Sequence, residues 1–304
     1  MASATGIFDQ RKCDWDAELL RYLKVRRDQL PVISDAQVSL NISNASRWSQ
    51  LRDAQWSLAV GDGAADHIGS CGIEKGKASL MVGTSAAMRV AYNGEPPKEI
   101  PGGLWCYRID RSRLVVGGAL SDGGNLYQKF KRELKVPSNA ENQMRVRGAA
   151  AHGITVLPFF FGERSTGYRE DAKGEFLGTN PDIDATDLLQ AAMEGVAFRL
   201  ADIGDRLKRL GRIKTIVASG GALRESTVWS QIIADVLGRD LTLSNSQESA
   251  SRGAVLLALE SLGKIENIDG LQTAENDVLG HHPSCHAIYK RARKLHQAAY
   301  EQQR

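Results

Sequence analysis

The chain has 304 residues, of which 42% are hydrophobic and 25% are charged, and its formal net charge is +3. This length and composition are typical of a soluble globular protein with one large domain or two ordinary ones, without low-complexity runs. The basic residues are spread along the chain, with no basic block interleaved with aromatic residues, so nucleic acid is not an expected partner.

The cysteines and the apolar segments indicate the compartment. The four cysteines lie far apart and form no CxxC pair: Cys13, Cys71, Cys106 and Cys285. This spacing predicts free thiols in a reducing compartment. The first residues lack a signal-peptide pattern, and the most apolar stretch, GITVLPFFFG, is too short to cross a bilayer. We therefore expect a cytoplasmic protein without a membrane partner.

The first fifty residues predict helical or irregular structure and no strand–helix core that could fold alone. Asp14 is the predicted cap of a helix whose apolar residues are Trp15, Leu19, Leu20 and Leu23. From about Leu58, three predicted strands end in small residues: SLAV before Gly61-Asp62-Gly63, KASLMV before Gly83-Thr84-Ser85, and RLVVGGAL before a helix over 125–134. Glycine pairs, Gly117-Gly118 among them, are expected at such strand ends. Strands that end this way and pass into helices have the local geometry that binds phosphate.

The second half alternates helices and strands. A long helix over 186–210 has Asp184 as its predicted cap and Gly211 as its stop, and the strand TIVAS then ends at Gly220-Gly221. A helix that stops at Gly238, the strand LTLS and a helix that stops at Gly263 follow. This alternation predicts an α/β fold with helices on a mainly parallel or mixed sheet.

Three motifs in order then point to a family. GDGAADHIGS, LMVGTSAAMRV and ASGGALRESTVWSQIIADVLGRDLTL, with SRGAVLLAL behind the last, closely resemble the FGGY carbohydrate kinases, and GGLWCYRID with VVGGALSDGGNLYQ is similar to the gluconate kinase branch. The resemblance covers nearly the whole chain. It implies a ribonuclease H-like fold of the actin-like ATPase superfamily and transfer of a phosphoryl group from ATP, with Mg²⁺, to a sugar or sugar acid such as gluconate or a pentulose.

The chain also departs from the family pattern. Complete members begin with another lobe, whose first strand carries an Asp-x-Gly-Thr-x-Ser phosphate loop, and no such motif opens this sequence. We therefore expect residues 1–74 to be the remnant of the first lobe and residues 75–304 to be the nucleotide-binding lobe. A truncated chain of this kind would expose apolar surface and self-associate.

Asp62 matches the catalytic aspartate of the family. An acid flanked by glycines can approach a hydroxyl without crowding, which suits a general base; the alternative role is a helix cap. Asp66, one turn further, is predicted to be an exposed partner rather than a second base. No protein ligand is assigned to Mg²⁺, apart from assistance by Asp62, because phosphates and water hold most of its coordination sphere.

The resemblance assigns the nucleotide to three turns. Gly83, Thr84 and Ser85 match the second phosphate loop, and Gly124 and Gln128 fall where relatives contact the nucleotide. Gly220, Gly221 and Ala222 match the adenosine loop, in which small residues let the nucleotide lie against the backbone. Glu225 stands where some relatives have an amide that reaches the base, a contact that a carboxylate cannot donate. Ordinary tight turns and an exposed helix residue are the alternatives for these positions.

Other polar motifs are assigned structural roles. HHPSCH offers His281, His282, Cys285 and His286, but without a second matching half a loop before a helix that starts at Pro283 is favoured over a zinc site. Glu163-Arg164 is assigned to a buried ion pair and Glu194 to packing or loop support. The rival hypothesis for the whole chain is a catalytically inactive fragment that binds a nucleotide or a partner.

Overall fold

The computed structural model describes residues 1–35, 49–51, 54–269 and 277–303. Within these ranges the strands are β1 (Phe8–Asp9), β2 (Asp14–Trp15), β3 (Lys77–Val82), β4 (Ala86–Asn93), β5 (Trp105–Arg108), β6 (Arg113–Leu120), β7 (Thr155–Leu157), β8 (Glu175–Leu177), β9 (Thr215–Ser219), β10 (Leu241–Leu243) and β11 (Asp277–Leu279).

The α-helices of the same ranges are α1 (Ala17–Leu23), α2 (Asp62–Cys71), α3 (Gly124–Glu133), α4 (Ala140–Arg147), α5 (Ala185–Leu207), α6 (Gly221–Glu225), α7 (Thr227–Leu237), α8 (Ser249–Ser261) and α9 (Pro283–Gln302). None of the described helices combines the length and the apolar character that a membrane span requires.

A seven-stranded mixed sheet organises the molecule, in the order β11-β10-β9-β3-β4-β6-β5. Strand β9 runs parallel to both β3 and β10, whereas β3, β4, β6 and β5 pair antiparallel in that spatial order. The predicted α/β architecture with a mixed sheet is therefore confirmed.

Helices cover both faces of this sheet because its strands alternate apolar side chains between two cores. In β6, Val116 belongs to the large core with α3, α5 and α7, whereas the adjacent Val115 belongs to a smaller core with α2 and α8. Both valines are fully buried. A strand with two buried faces requires a layer of helices on each side, and the result is a three-layer α/β/α unit.

The long helix α5 follows the sequence prediction closely. The Asp184 side chain accepts hydrogen bonds from the Thr186 and Asp187 amides, and a final 3₁₀ turn ends at Gly211. Nearly all of α5 is buried, because it lies between strands β4 and β6 of the sheet and helices α7 and α9. The predicted stop of α7 is also confirmed, since Gly238 adopts the left-handed conformation with φ 60°.

Three local predictions are wrong. Asp14 does not cap α1, because it lies in β2. The cap is Asp16, whose side chain accepts hydrogen bonds from the Glu18 and Leu19 amides. SLAV, residues 57–60, is not a strand, since no described strand runs beside it to form a ladder. Gly117-Gly118 lies inside β6 rather than at its end, where the side chains of neighbouring strands and α5 leave no room for a Cβ atom.

Helix α2 bears on the predicted division of the chain. It belongs to the segment 1–74 that was assigned to the first lobe, yet it packs against α8 and against β3, β4 and β9. Asp62, at its first residue, is therefore held by the same three-layer unit that carries the glycine turns. The boundary near residue 74 stays a prediction.

Candidate active site

A cavity of about 230 Å³ opens beside the ends of β3 and β9. Its lining comes from the start of α2, from β3 and β4, from the turn after β9 and from the start of α8: Asp62, Gly63, Asp66, Met81, Arg89, Gly220, Gly221, Arg224, Gln247, Glu248, Ser249 and Ala250. The predicted catalytic acid and the predicted adenosine turn, more than 150 positions apart in sequence, thus border one cavity.

Asp62 is exposed and stands at the first residue of α2. The N-cap is Gly61, which has no side chain, and the Asp62 carboxylate accepts a hydrogen bond from the Gly63 amide at 2.7 Å. The positive end of the helix dipole favours a negative charge at this position. Asp62 therefore supports the first turn of α2 while its carboxylate also borders the cavity.

Arg89 is a charged residue of this site that the motifs did not single out. Its guanidinium Nη1 donates to Asp66 Oδ2 at 2.8 Å, and the two side chains are only 8% and 13% exposed. The expectation that Asp66 is exposed is wrong, because the face of α2 one turn beyond Asp62 packs against β4. Asp66 is a partner, as expected, but a half-buried one.

Burial and attraction oppose each other in this pair. Burial raises the pKa of the Asp66 carboxyl, and the charge and hydrogen bond of Arg89 lower it. Burial likewise lowers the pKa of the Arg89 guanidinium, against the attraction of Asp66 and Asp62. Burial is the larger effect in both groups, so the pKa of Asp66 is raised and that of Arg89 is lowered from their ordinary values. An arginine guanidinium keeps its proton in proteins, so the cavity has a positive group beside Asp62.

The sequence did contain a signal for Arg89, namely an arginine inside the otherwise apolar strand AAMRVAYN. Two glycines make space for it: a Cβ atom at Gly63 would lie 3.2 Å from Arg89 Nε, and one at Gly117 would lie 2.8 Å from Arg89 Cγ. Arg89 Nη2 forms no hydrogen bond with the described residues, and Arg89 lines the cavity. This nitrogen is available to an anionic group.

The hairpin Gly83–Ser85 connects β3 to β4 and is fixed by its neighbours. The Gly83 amide donates to the Ser85 carbonyl at 2.9 Å, and the Gly124 amide, at the start of α3, donates to the Gly83 carbonyl at 2.7 Å. Two of the predicted phosphate-binding amides are thus used inside the protein. Thr84 is the exposed member of the hairpin, and its amide and hydroxyl have no hydrogen-bond partner in the described part of the chain.

Gly220 explains why the third turn needs glycine. Its φ is +110°, and a Cβ atom there would lie 2.3 Å from the Val82 carbonyl oxygen. The neighbouring Gly221 starts α6 and faces open space, while Ala222 is buried beside Gly124. The three predicted nucleotide turns therefore pack against one another at one edge of the sheet.

Gln128 and Glu225 meet outside the cavity lining. Gln128 Nε2 donates to Glu225 Oε2 at 2.7 Å, and Lys131 Nζ approaches Glu225 Oε1 at 3.3 Å. These contacts connect α3 to α6. Glu225 cannot donate a hydrogen bond itself, but the Gln128 amide supplies a donor group next to it.

The structural assignments of Glu163 and Glu194 hold, with one change of partner. Glu163 forms a buried ion pair with Arg199 at 2.6 Å, whereas Arg164 is exposed and lies outside that pair. Glu194 accepts hydrogen bonds from the Ala150 amide and from the Tyr289 hydroxyl, so it holds the loop before β7 as expected.

Asp122 lies between β6 and the glycine pair that opens α3, and it is 1% exposed. Its Oδ2 accepts from the Phe161 amide at 3.4 Å, and its buried Oδ1 has no partner among the described residues. Burial raises the pKa of Asp122 to about 7, against the opposing effect of the backbone hydrogen bonds. Between pH 3.8 and about pH 7, Asp122 thus keeps its proton in the folded protein and releases it in the unfolded chain.

This proton gives a pH-dependent prediction. Because the pKa is raised on folding, the contribution of Asp122 to stability is complete below its unfolded pKa and is lost as the pH rises through the folded pKa. We compare the free energies of unfolding of Asp122→Asn and wild type at about pH 5 and about pH 6.5. We expect the difference, variant minus wild type, to increase by about 2 kcal/mol from the lower pH to the higher. Urea denaturation of both proteins at the two pH values measures this difference, and a constant gap between them would contradict it.

The comparisons with known proteins agree with this architecture. Residues 78–262 match the C-terminal domain of the FGGY family of carbohydrate kinases. The chain belongs to the FGGY family. Among solved structures, a ligand-bound xylulose kinase from Lactobacillus acidophilus superimposes with a TM-score of 0.90 at 26% identity, and a gluconate kinase from the same organism with 0.89 at 26%. Each comparison covers 99% of this chain and 63% of the other.

The similarity to curated FGGY proteins spans only part of their length. The gluconokinase of Bacillus subtilis is 27% identical over 303 residues, which cover 93% of this chain and 58% of the relative. A glycerol kinase from Plasmodium falciparum, solved with ADP, shares the fold with a TM-score of 0.82 at 20% identity. These neighbours confirm the ribonuclease H-like, actin-like fold class of this FGGY chain.

Proposed function

We propose that this FGGY chain carries the catalytic acid and the nucleotide-binding half of an enzyme that phosphorylates a hydroxyl of a sugar or sugar acid with ATP. The observation that carries the proposal is the shared cavity, which Asp62 borders from α2 and Gly220-Gly221 border from the end of β9. An acid and a glycine-lined turn at the same opening can serve an alcohol and a nucleotide together.

Asp62 is the proposed general base. In phosphoryl transfer the protein has to orient the acceptor hydroxyl, accept its proton and balance charge on the transferred group. The exposed carboxylate of Asp62 can accept the proton, and Gly61 and Gly63 on either side leave space for the alcohol. Arg89 can balance negative charge on this side of the cavity, with Asp66 holding its guanidinium in place.

The residues present fit ATP as the nucleotide. We call the turns at Gly83–Ser85, Gly124 and Gly220–Ala222 the nucleotide cradle. A Cβ atom at Gly220 or Gly124 would overlap backbone atoms, so the turns of the cradle pack tightly against the backbone behind them. Thr84 offers a free amide and hydroxyl to phosphate oxygens, and the exposed Gly221 offers bare backbone to the nucleoside. ATP would supply the phosphoryl group, and Mg²⁺ would be held largely by phosphates and water.

The relatives support a proposal for the acceptor class. The gluconokinase and the xylulose kinase named above favour gluconate or a pentulose as the acceptor. The spare donor of Arg89 is compatible with an acidic sugar. Because the chain spans about 58% of its curated gluconokinase relative, the alternative is a fragment that binds nucleotide or a partner without turnover.

A direct test combines binding and turnover on the full chain. Calorimetry should detect ADP binding, and a coupled assay should detect ADP release with gluconate, xylulose or glycerol as the acceptor. ADP binding without release on any acceptor would favour the inactive fragment. If neither binding nor release were found, both the kinase and the nucleotide-binding proposals would be lost.

A substitution at Gly220 tests the cradle. We expect Gly220→Val to weaken ADP binding at least about tenfold, because the side chain would overlap the Val82 carbonyl and strain the backbone. Gly102→Ala is the matched control, since a Cβ atom there would meet nothing within 4 Å and Gly102 does not line the cavity. Equal ADP affinity in both variants, by calorimetry, would contradict the cradle.

A further inference from the structure

The start of α9 and the end of α7 bring together side chains of the kind that bind transition metals. Asp235 of α7 meets His282, the N-cap of α9, and Cys285 in its first turn, and one ligand atom from each lies within 4.8 Å of the other two. None of the three lines the cavity beside Asp62. HHPSCH offered two of these residues, but Asp235 lies about 47 positions earlier, so the sequence did not reveal the third.

The separation of the ligand atoms fits a tetrahedral ion. Asp235 Oδ2 and His282 Nδ1 are 3.3 Å apart, which is long for a hydrogen bond. Zinc bound at about 2.0–2.1 Å to nitrogen and oxygen, with tetrahedral angles, places two such ligands about 3.3 Å apart. The observed distance matches two adjacent ligands of one ion, and without an ion the same two groups pair with each other.

The surroundings already orient these groups. The other carboxylate oxygen, Asp235 Oδ1, accepts from the His282 amide at 2.6 Å and from Gln231 Nε2 at 2.9 Å. The Asp235 side chain is 5% exposed, whereas that of His282 is 60% exposed. A buried carboxylate is thus fixed by one oxygen, while the other lies near an exposed histidine and a half-buried thiol. Water can enter as a fourth ligand from the side of His282. In metal-binding carboxylates, the oxygen that does not bind the metal, here Asp235 Oδ1, typically accepts hydrogen bonds.

We propose that Asp235, His282 and Cys285 form a site for a zinc-like divalent ion that clamps α9 to α7. On binding, the Cys285 thiol releases its proton to solvent and a sulfur–metal bond forms, while Asp235 Oδ2 and His282 Nδ1 supply the oxygen and nitrogen ligands. The ligand set of one thiolate, one imidazole and one carboxylate suits Zn²⁺ better than Mg²⁺ or Ca²⁺, which prefer oxygen. The clamp is structural and lies apart from the proposed reaction.

The test uses the full chain, freed of metal with a chelator and titrated with ZnCl₂. We expect one ion per chain by calorimetry, with a proton released, and a higher unfolding temperature with zinc than without. Cobalt(II) should give a thiolate charge-transfer band and the visible absorption of a tetrahedral ion. Cys285→Ser and His282→Asn should each weaken zinc binding at least about 100-fold.

Two controls separate this site from others. His281→Asn alters the neighbouring imidazole, which pairs with Asp240 rather than with Asp235, and should keep wild-type zinc affinity. Cys13→Ser alters a distant, half-buried thiol and should also keep it. ADP affinity should be the same in all four variants, so the outcome is independent of the proposed kinase. The absence of one-to-one binding, or wild-type affinity in Cys285→Ser, would overturn the site.

Discussion

Replacing Asp62 by asparagine is expected to lower turnover by about 10²–10⁴-fold, the usual contribution of a positioned general base. Asparagine keeps the size of the side chain and an oxygen that can accept from the Gly63 amide, but it cannot take the proton of the acceptor hydroxyl. The expected change therefore falls on kcat in the coupled ADP-release assay. ADP affinity should remain within about twofold of wild type, a difference of about 0.4 kcal/mol.

The same substitution separates a catalytic role of Asp62 from a role in supporting the first turn of α2. If Asp62 only supported the first turn of α2, Asp62→Asn would leave turnover intact, and only Asp62→Ala would matter, through a loss of about 1 kcal/mol of stability. Urea denaturation of the two variants measures that contribution independently. An Asp62→Asn protein with normal kcat would remove the general base from the proposed mechanism and leave only the support of the first turn of α2.

Replacing Gly253 by leucine is expected to destabilise the fold by at least about 3 kcal/mol. Helices α2 and α8 touch through glycine: a Cβ atom at Gly253 would lie 1.9 Å from the Ala65 carbonyl oxygen, and one at Gly69 would lie 1.8 Å from that of Ser249. Any side chain at either position forces the two helices apart. Since α2 begins with Asp62 and α8 begins at the cavity, separation also disturbs the site.

The matched control is Gly61→Ala. Gly61 has φ −64°, which any residue adopts, and a Cβ atom there would meet nothing within 4 Å. We expect this variant to unfold within about 0.5 kcal/mol of wild type in urea. A Gly253→Leu protein as stable as Gly61→Ala would show that α2 and α8 are not packed as described.

Several features of the fold could be read from local patterns. Asp184 and Gly211 bound the helix region that contains α5, and Gly238 ends α7, because caps and stops act through hydrogen bonds and backbone conformation within a few residues. The motif order that identified the FGGY family was likewise present in the chain. Asp14 shows the limit of this approach, since pairing of β2 with β1 moved the helix start to Asp16.

The position of Asp62 relative to the glycine turns could not be derived from the chain itself. The sequence supplied the residue types, and the parallel pairing of β3 with β9 in one sheet, with α2 packed on it, brought Asp62 and Gly220 to one cavity. The Arg89–Asp66 pair and the meeting of Asp235 with His282 and Cys285 also depend on how α2, β4, α7 and α9 pack.

The sequence by itself determined the family, the α/β class, the helix boundaries set by local caps and the residue types available for chemistry. Only the tertiary structure decided which of those residues meet, that Asp66 is half-buried rather than exposed, and that the Gly83 and Gly124 amides are used inside the protein. The physical reason is range: caps and turns depend on neighbours a few residues away, whereas these contacts depend on strand order and helix packing over long separations.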